Sequence, residues 1–143
     1  MRDNLEQRKK SWYVKAFRLP WLPEFSMRRR KFKALADVLQ PCCSDSDLAK
    51  YRQAWSMPGA LTGMVNWYRA LLAKRIPLDS VRRIEVPTLI VWGNDDKFGA
   101  PELAQRSRAL CSNGSVVYLD TGHFLQHDEP ARINQMLLDF LKR

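Results

Sequence analysis

Cysteine, glycine and histidine are all scarce in this chain, with 3 Cys, 6 Gly and 2 His among 143 residues. The cysteines are Cys42, Cys43 and Cys111. The vicinal pair has no second Cys or His cluster to complete a zinc site, and the set reads as reduced thiols. No apolar run approaches the roughly 18 to 20 residues needed to cross a bilayer. The opening MRDNLEQRKK leads into no apolar core of the signal-peptide kind. Internal repeats and low-complexity tracts are absent as well. These absences predict a cytoplasmic protein with no membrane partner, no metal and no cofactor.

What is present is the composition of a folded globular chain, 45% hydrophobic and 27% charged. A length of 143 residues suits one ordinary domain and does not demand two. The formal net charge of +9 is uneven. Residues 1–33 hold 11 Lys and Arg against 3 Asp and Glu, and the rest of the chain holds 13 against 12. The run MRRRKFK carries much of this excess at a predicted helix start. Clustered cations attract phosphate by charge alone, but such a run is ordinarily a solvated helix face, and no nucleic-acid motif accompanies it. Nucleic acid is not an expected partner.

Residues 1–76 read as helical, broken by LPWLPEF, LQPCCSDSD and SMPGALTG. Ser44 or Asp45 would cap a helix in which Leu48, Tyr51 and Trp55 share a face. Leu61, Met64, Val65, Tyr68 and Leu72 repeat that spacing in the next. The character changes at Pro77. In residues 77–143, PTLIVW predicts a strand buried on both faces of a parallel sheet, ELAQRSRALCS a helix, and SVVYL a second strand after Asn113-Gly114. In the last helix Pro130 stands in the first turn and Ile133, Met136, Leu137, Phe140 and Leu141 form one stripe. Strand, helix, strand, helix is a βαβα unit, and the fold class is α/β.

In open parallel sheets, working residues sit on loops beyond the carboxyl ends of strands. Here those loops are Gly93-Asn94-Asp95-Asp96 and Asp120-Thr121-Gly122-His123, so an acid and an imidazole leave the same sheet edge. A carboxylate on one imidazole nitrogen fixes the tautomer and leaves the other nitrogen as a general base. The plainer alternative is that Asp95 or Asp96 closes a turn and His123 is an ordinary loop residue.

WGNDD and TGHFLQHDEP together resemble the acid and histidine motifs of the α/β-hydrolase superfamily. The resemblance selects Asp96, three residues after Gly93, over Asp95. It sets Gly122, His123, Phe124, Glu129 and Pro130 in the histidine motif and leaves His127 as a surface residue. SWYVKAFRLPWLPE and PGALTGMVNWYRALL are similar to two lid segments of epoxide hydrolases, whose lid lies between the sixth and seventh core strands. The implied architecture is the C-terminal portion of that fold: a helical lid over residues 1–76, then the last two strands and their helices over 77–143.

By this resemblance Tyr13 and Tyr68 hydrogen-bond the epoxide oxygen and supply the proton as the ring opens. A phenol suits the task, being neutral at pH 7 and able to donate towards a developing alkoxide. By spacing alone the tyrosines, like Trp12, Trp55 and Trp67, are lid-core aromatics. Trp12, Phe98 and Phe124 are also candidates to line the substrate site. Val14, Lys15 and Arg18, and Gly99-Ala100 after the acid, depart from the common pattern and bear on substrate range.

The nucleophile of such enzymes sits on a G-x-[DS]-x-G elbow. No Gly-x-Asp-x-Gly, Gly-x-Ser-x-Gly or Gly-x-Cys-x-Gly occurs here. The expectation is a chain that is catalytically incomplete alone, with a small epoxide-like substrate in the complete enzyme. Self-association, or pairing with an N-terminal half through an open sheet edge, is also expected. Within the superfamily the alternatives are a haloalkane or haloacid dehalogenase or an esterase. Outside it, the alternative is a non-catalytic interaction module using the basic face at Arg28, Arg29, Arg30 and Lys31.

Overall fold

A computed structural model of the chain describes residues 4–73 and 83–142. In chain order these form α1 (Leu5–Lys10), a 3-10 helix (Trp12–Arg18), α2 (Leu22–Leu39), α3 (Asp45–Ser56), α4 (Ala60–Ala73), β1 (Thr88–Gly93), α5 (Glu102–Ala109), β2 (Gly114–Leu119), α6 (Leu125–Asp128) and α7 (Pro130–Leu141). They fall into two compact units, one of Met1–Lys10 with Pro77–Arg143 and one of Ser11–Ile76. The composition shift at Pro77 lies outside the described residues. Residues 4–10, counted on sequence with the helical half, group with the sheet.

In the helical unit the predicted faces become a core of Ala36, Leu39, Leu48, Trp55, Leu61 and Val65, all buried. Each fully buried Leu of this kind contributes about 1.5 to 3 kcal/mol. Ser44 is the cap of α3, with its hydroxyl accepting from the Asp47 amide at 3.2 Å. Trp55 stacks on Tyr51 at 5.6 Å between ring centroids and meets Phe32 at 6.0 Å. Trp12 and Trp67 are exposed, so spacing alone misplaced them in a lid core. The basic run is not at a helix start. It lies at a break inside α2, where Arg29 leaves helical geometry and Arg30, Lys31 and Phe32 take positive φ. The side chains of Arg28 to Lys31 are exposed there.

In the other unit β1 and β2 run parallel, from Thr88 opposite Gly114 to Gly93 opposite Leu119. Parallel neighbours require a crossover, and α5 supplies it. The core consists of Ala100, Ala104, Cys111, Leu119 and Ile133. From Thr88 to Trp92, β1 is half-buried, against the expectation of a strand covered on both faces, because β2 is its one strand partner among the described residues. For the same reason the stripe of α7 is graded. Ile133 is buried, Met136 and Phe140 are half-buried, and Leu137 and Leu141 are exposed. Among the described residues no helix is long and apolar enough to cross a membrane.

Candidate active site

The chain leaves β1 at Gly93 and β2 at Leu119, and glycine is what lets the two exits touch. A Cβ on Gly93 would lie 2.2 Å from the Gly122 carbonyl oxygen and 2.5 Å from that of Thr121, both backbone atoms. With only hydrogen there, the loops are stitched together. The Asn94 amide donates to the Leu119 carbonyl at 2.8 Å, the Asp95 amide to the Thr121 carbonyl at 3.0 Å, and the Asn94 side-chain amide to Asp120 Oδ1 at 2.7 Å. The stitching carries Asp95 outward and Asp96 inward, so that Asp95 is exposed and Asp96 retains 6% of its surface.

Each oxygen of Asp96 has a separate task. Oδ1 accepts from the amides of Phe98 at 2.7 Å and Gly99 at 2.8 Å, closing the tight loop in which it sits. Oδ2 lies 2.8 Å from His123 Nδ1. A carboxylate is an acceptor only, so this contact requires the proton on Nδ1 and leaves Nε2 as the basic nitrogen. The turn-closing reading and the imidazole-orienting reading of this acid thus hold at once. Gly99 is also constrained, since a Cβ there would meet the Trp92 ring at 2.6 Å and Asp96 Oδ2 at 3.0 Å.

The imidazole of His123 is 44% exposed and is flanked edge-on by Phe98 and Phe124, each 5.0 Å away between ring centroids. Two of the residues expected to line a substrate site therefore stand beside the expected base. His127, expected at the surface, is half-buried on α6. Among the described residues no group of three or more His, Cys, Asp or Glu could hold a metal ion.

In the helical unit Tyr13 and Tyr68 come together, 6.2 Å apart between ring centroids. Phe17 packs against both, at 5.5 Å from Tyr13 and 4.9 Å from Tyr68. Both tyrosines are half-buried, and Trp12 meets Tyr13 edge-on at 6.4 Å. The residue next to Tyr68 was not singled out by sequence reasoning. Arg69 donates to the carbonyls of Phe17 and Leu19, both at 2.9 Å, and makes a two-pronged pair with Glu24 at 2.7 and 3.1 Å. It also reaches Asn66 Oδ1 at 3.0 Å. That fork ties the 3-10 helix bearing Tyr13 to α4 bearing Tyr68, and Arg69 holds the Glu24 carboxyl below its ordinary value of 4.5 by hydrogen bonding. The guanidinium geometry is suited to this bidentate role. In sequence, the one available signal was a lone arginine on an otherwise apolar helix.

A parallel strand pair with an acid and a paired imidazole on adjacent carboxyl-end loops is the arrangement of an α/β hydrolase core, and the chain belongs to that family. The family profile described as alpha/beta hydrolase fold matches residues 27–130. The AB hydrolase superfamily protein YfhM of Bacillus subtilis is 36% identical over 143 residues, covering 93% of this chain and 48% of that protein. Epoxide hydrolase 2 of Caenorhabditis elegans is 31% identical over 147 residues, covering 95% of this chain and 41% of that protein. A crystal structure of Bacillus megaterium epoxide hydrolase in complex with an inhibitor superimposes with a TM-score of 0.82 at 26% identity, over 99% of this chain and 55% of that one. The chain spans about half the length of these relatives.

Proposed function

We propose that these residues form the lid and C-terminal core of an α/β hydrolase that converts an epoxide to a vicinal diol. The observation that carries the hydrolytic reading is the 2.8 Å contact between Asp96 Oδ2 and His123 Nδ1, with the other carboxylate oxygen engaged by the Phe98 and Gly99 amides. What directs it towards epoxides is the Tyr13–Tyr68 pair around Phe17, together with the epoxide hydrolases among the relatives.

In this reading a carboxylate nucleophile outside these 143 residues attacks an epoxide carbon and the carbon–oxygen bond opens. Tyr13 and Tyr68 donate to the departing oxygen, and one of them gives it a proton. The product is an ester on the nucleophile. His123, oriented by Asp96, takes a proton from water through Nε2 as the hydroxide adds to the ester carbonyl. The ester C–O bond breaks, and the departing alkoxide takes the proton back from His123 to leave as the diol. The proton of the carboxylic acid so formed returns to the tyrosine phenolate. Phe98 and Phe124 present an apolar wall beside the imidazole. No cofactor is needed for these steps. The open side of β1 would pair with the part of the hydrolase that carries the nucleophile.

The test is to join this chain to the coding sequence immediately upstream of Met1 and assay epoxide, ester and haloalkane substrates in parallel. Diol formation that requires His123 is the expected result. Turnover of esters or haloalkanes alone would overturn the named reaction, and an upstream sequence with no in-frame G-x-D-x-G elbow would overturn the catalytic role. The basic face exposed at the break in α2 supports a second reading, a charge-driven interaction module. It predicts binding to an anionic surface that weakens with salt and is lost when Arg28, Arg29, Arg30 and Lys31 are neutralised.

A further inference from the structure

The loop that aims Asp96 is held from outside by one helix. Gln7 of α1 retains only 3% of its surface, an unusual degree of burial for a polar side chain. Its amide is spent on the loop backbone. Nε2 donates to the Phe98 carbonyl at 2.9 Å, and Oε1 accepts from the Ala100 amide at 2.8 Å. One turn on, Lys10 Nζ donates to the carbonyl of Asp96 itself and to that of Gly99, at 3.3 Å for the latter. Glu6 neutralises the ammonium at 3.2 Å. Asn4 Oδ1 accepts from the backbone N–H of Gln7 at 3.0 Å and so caps the short helix that presents these groups.

These contacts alternate with the ones Asp96 makes. The amides of Phe98 and Gly99 point in towards Oδ1, and the carbonyls of Asp96, Phe98 and Gly99 point out towards α1. The loop is thus held on both sides of its backbone.

We propose that Gln7, assisted by Lys10, is a positioning residue that fixes the carboxylate of Asp96 against His123. The inference rests on the Asp96–His123 pairing of the proposed function and adds to it a group about 90 residues distant in sequence. It follows from the satisfaction of buried polar groups. Without the Gln7 amide, the Phe98 carbonyl and the Ala100 amide must find other partners, and the loop turns to reach them.

The experiment uses the 143-residue chain with imidazole nitrogen and proton NMR, which reads the tautomer of each histidine without requiring turnover. Only two histidines are present, so His127 is an internal reference. In the parent, neutral His123 should be the Nδ1–H tautomer with a downfield, hydrogen-bonded proton. Asp96→Asn is the positive control and should abolish that signature. Gln7→Leu removes both amide bonds. Gln7→Glu keeps an acceptor for Ala100 but, when ionised, no donor for Phe98. In both variants, mixed tautomers and loss of the downfield proton at His123, with His127 unchanged, is the expected result.

A His123 signature that persists in both Gln7 variants and disappears in Asp96→Asn overturns the proposal and leaves the acid–imidazole pair standing. No signature in the parent, or no response to Asp96→Asn, removes the pair itself. Loss of amide dispersion in both Gln7 variants also overturns the proposal, since Gln7 would then serve the whole fold and not this loop.

Discussion

The two units place their candidate residues by different physical means. Around Asp96 and His123 the geometry is set by directional hydrogen bonds between polar side chains and loop backbone, on a frame that Gly93 makes possible. Around Tyr13 and Tyr68 it is set by ring packing on Phe17, with Arg69 as a polar tie. The difference suits the chemistry proposed for each. An acid must present a chosen oxygen to a chosen nitrogen, which demands angular control. Two phenols that donate to one oxygen need a shared separation, which edge-to-face packing with rings about 5 to 6 Å apart supplies.

That contrast can be broken at its strongest point first. In a complete hydrolase containing this chain, Asp96→Asn should lower turnover by about 1,000- to 10,000-fold, because the amide favours the wrong imidazole tautomer. Steady-state kinetics decide this, and a loss under tenfold would remove the directional argument. Tyr13→Phe and Tyr68→Phe keep the packing and delete only the donors. Each should cost on the order of 100-fold in kcat, with a thermal midpoint within about 2 °C of the parent. A large fall in the midpoint would mean the hydroxyls are structural.

Arg69→Met tests the tie. Leaving Glu24 and two carbonyls without their partner should destabilise the helical unit by about 2 to 3 kcal/mol, measurable by urea unfolding. Glu24 adds a pH signature. Its folded pKa is depressed, so its contribution is present above the unfolded value and is lost as pH falls from about 4.5 through the lower folded one. The parent should lose stability across that window, and Arg69→Met should lose less. The smallest effect belongs to Ser44→Ala, about 1 kcal/mol from loss of the α3 cap. This would show up as a modest shift in the same urea curve, with the Asp96–His123 signature untouched.

Local signals were legible in the sequence, and long-range polar ones were not. The apolar run before Gly93, the acid three residues after that glycine, Ser44 before α3 and Pro130 opening α7 each announce themselves within a few residues. The choice of Asp96 over Asp95 came from family resemblance, and the structure gives it a physical basis, since the stitched exit from β1 turns one inward and the other out. Gln7 was passed over because it lies in a short, basic helix that looks solvated, and its partners at Phe98 and Ala100 are about 90 positions away. Arg69 was passed over for a similar reason. The break in α2 has no proline or glycine to signal it. The partial cover of β1 and α7 escaped periodicity because a stripe records which face is apolar, and what lies against that face is a separate matter.

The division at Lys10 and Ser11 has a consequence for recombination. Tyr13 and Gln7 lie only six positions apart, yet they fall in different units. A lid transplanted from a relative with its boundary drawn ahead of Leu5 would carry a foreign α1 into the acid loop, and the graft could disable the host's base while leaving the new lid intact. A seam placed after Lys10 would let lids be exchanged, by evolution or by an engineer, without disturbing the α1 contacts to the Asp96 loop.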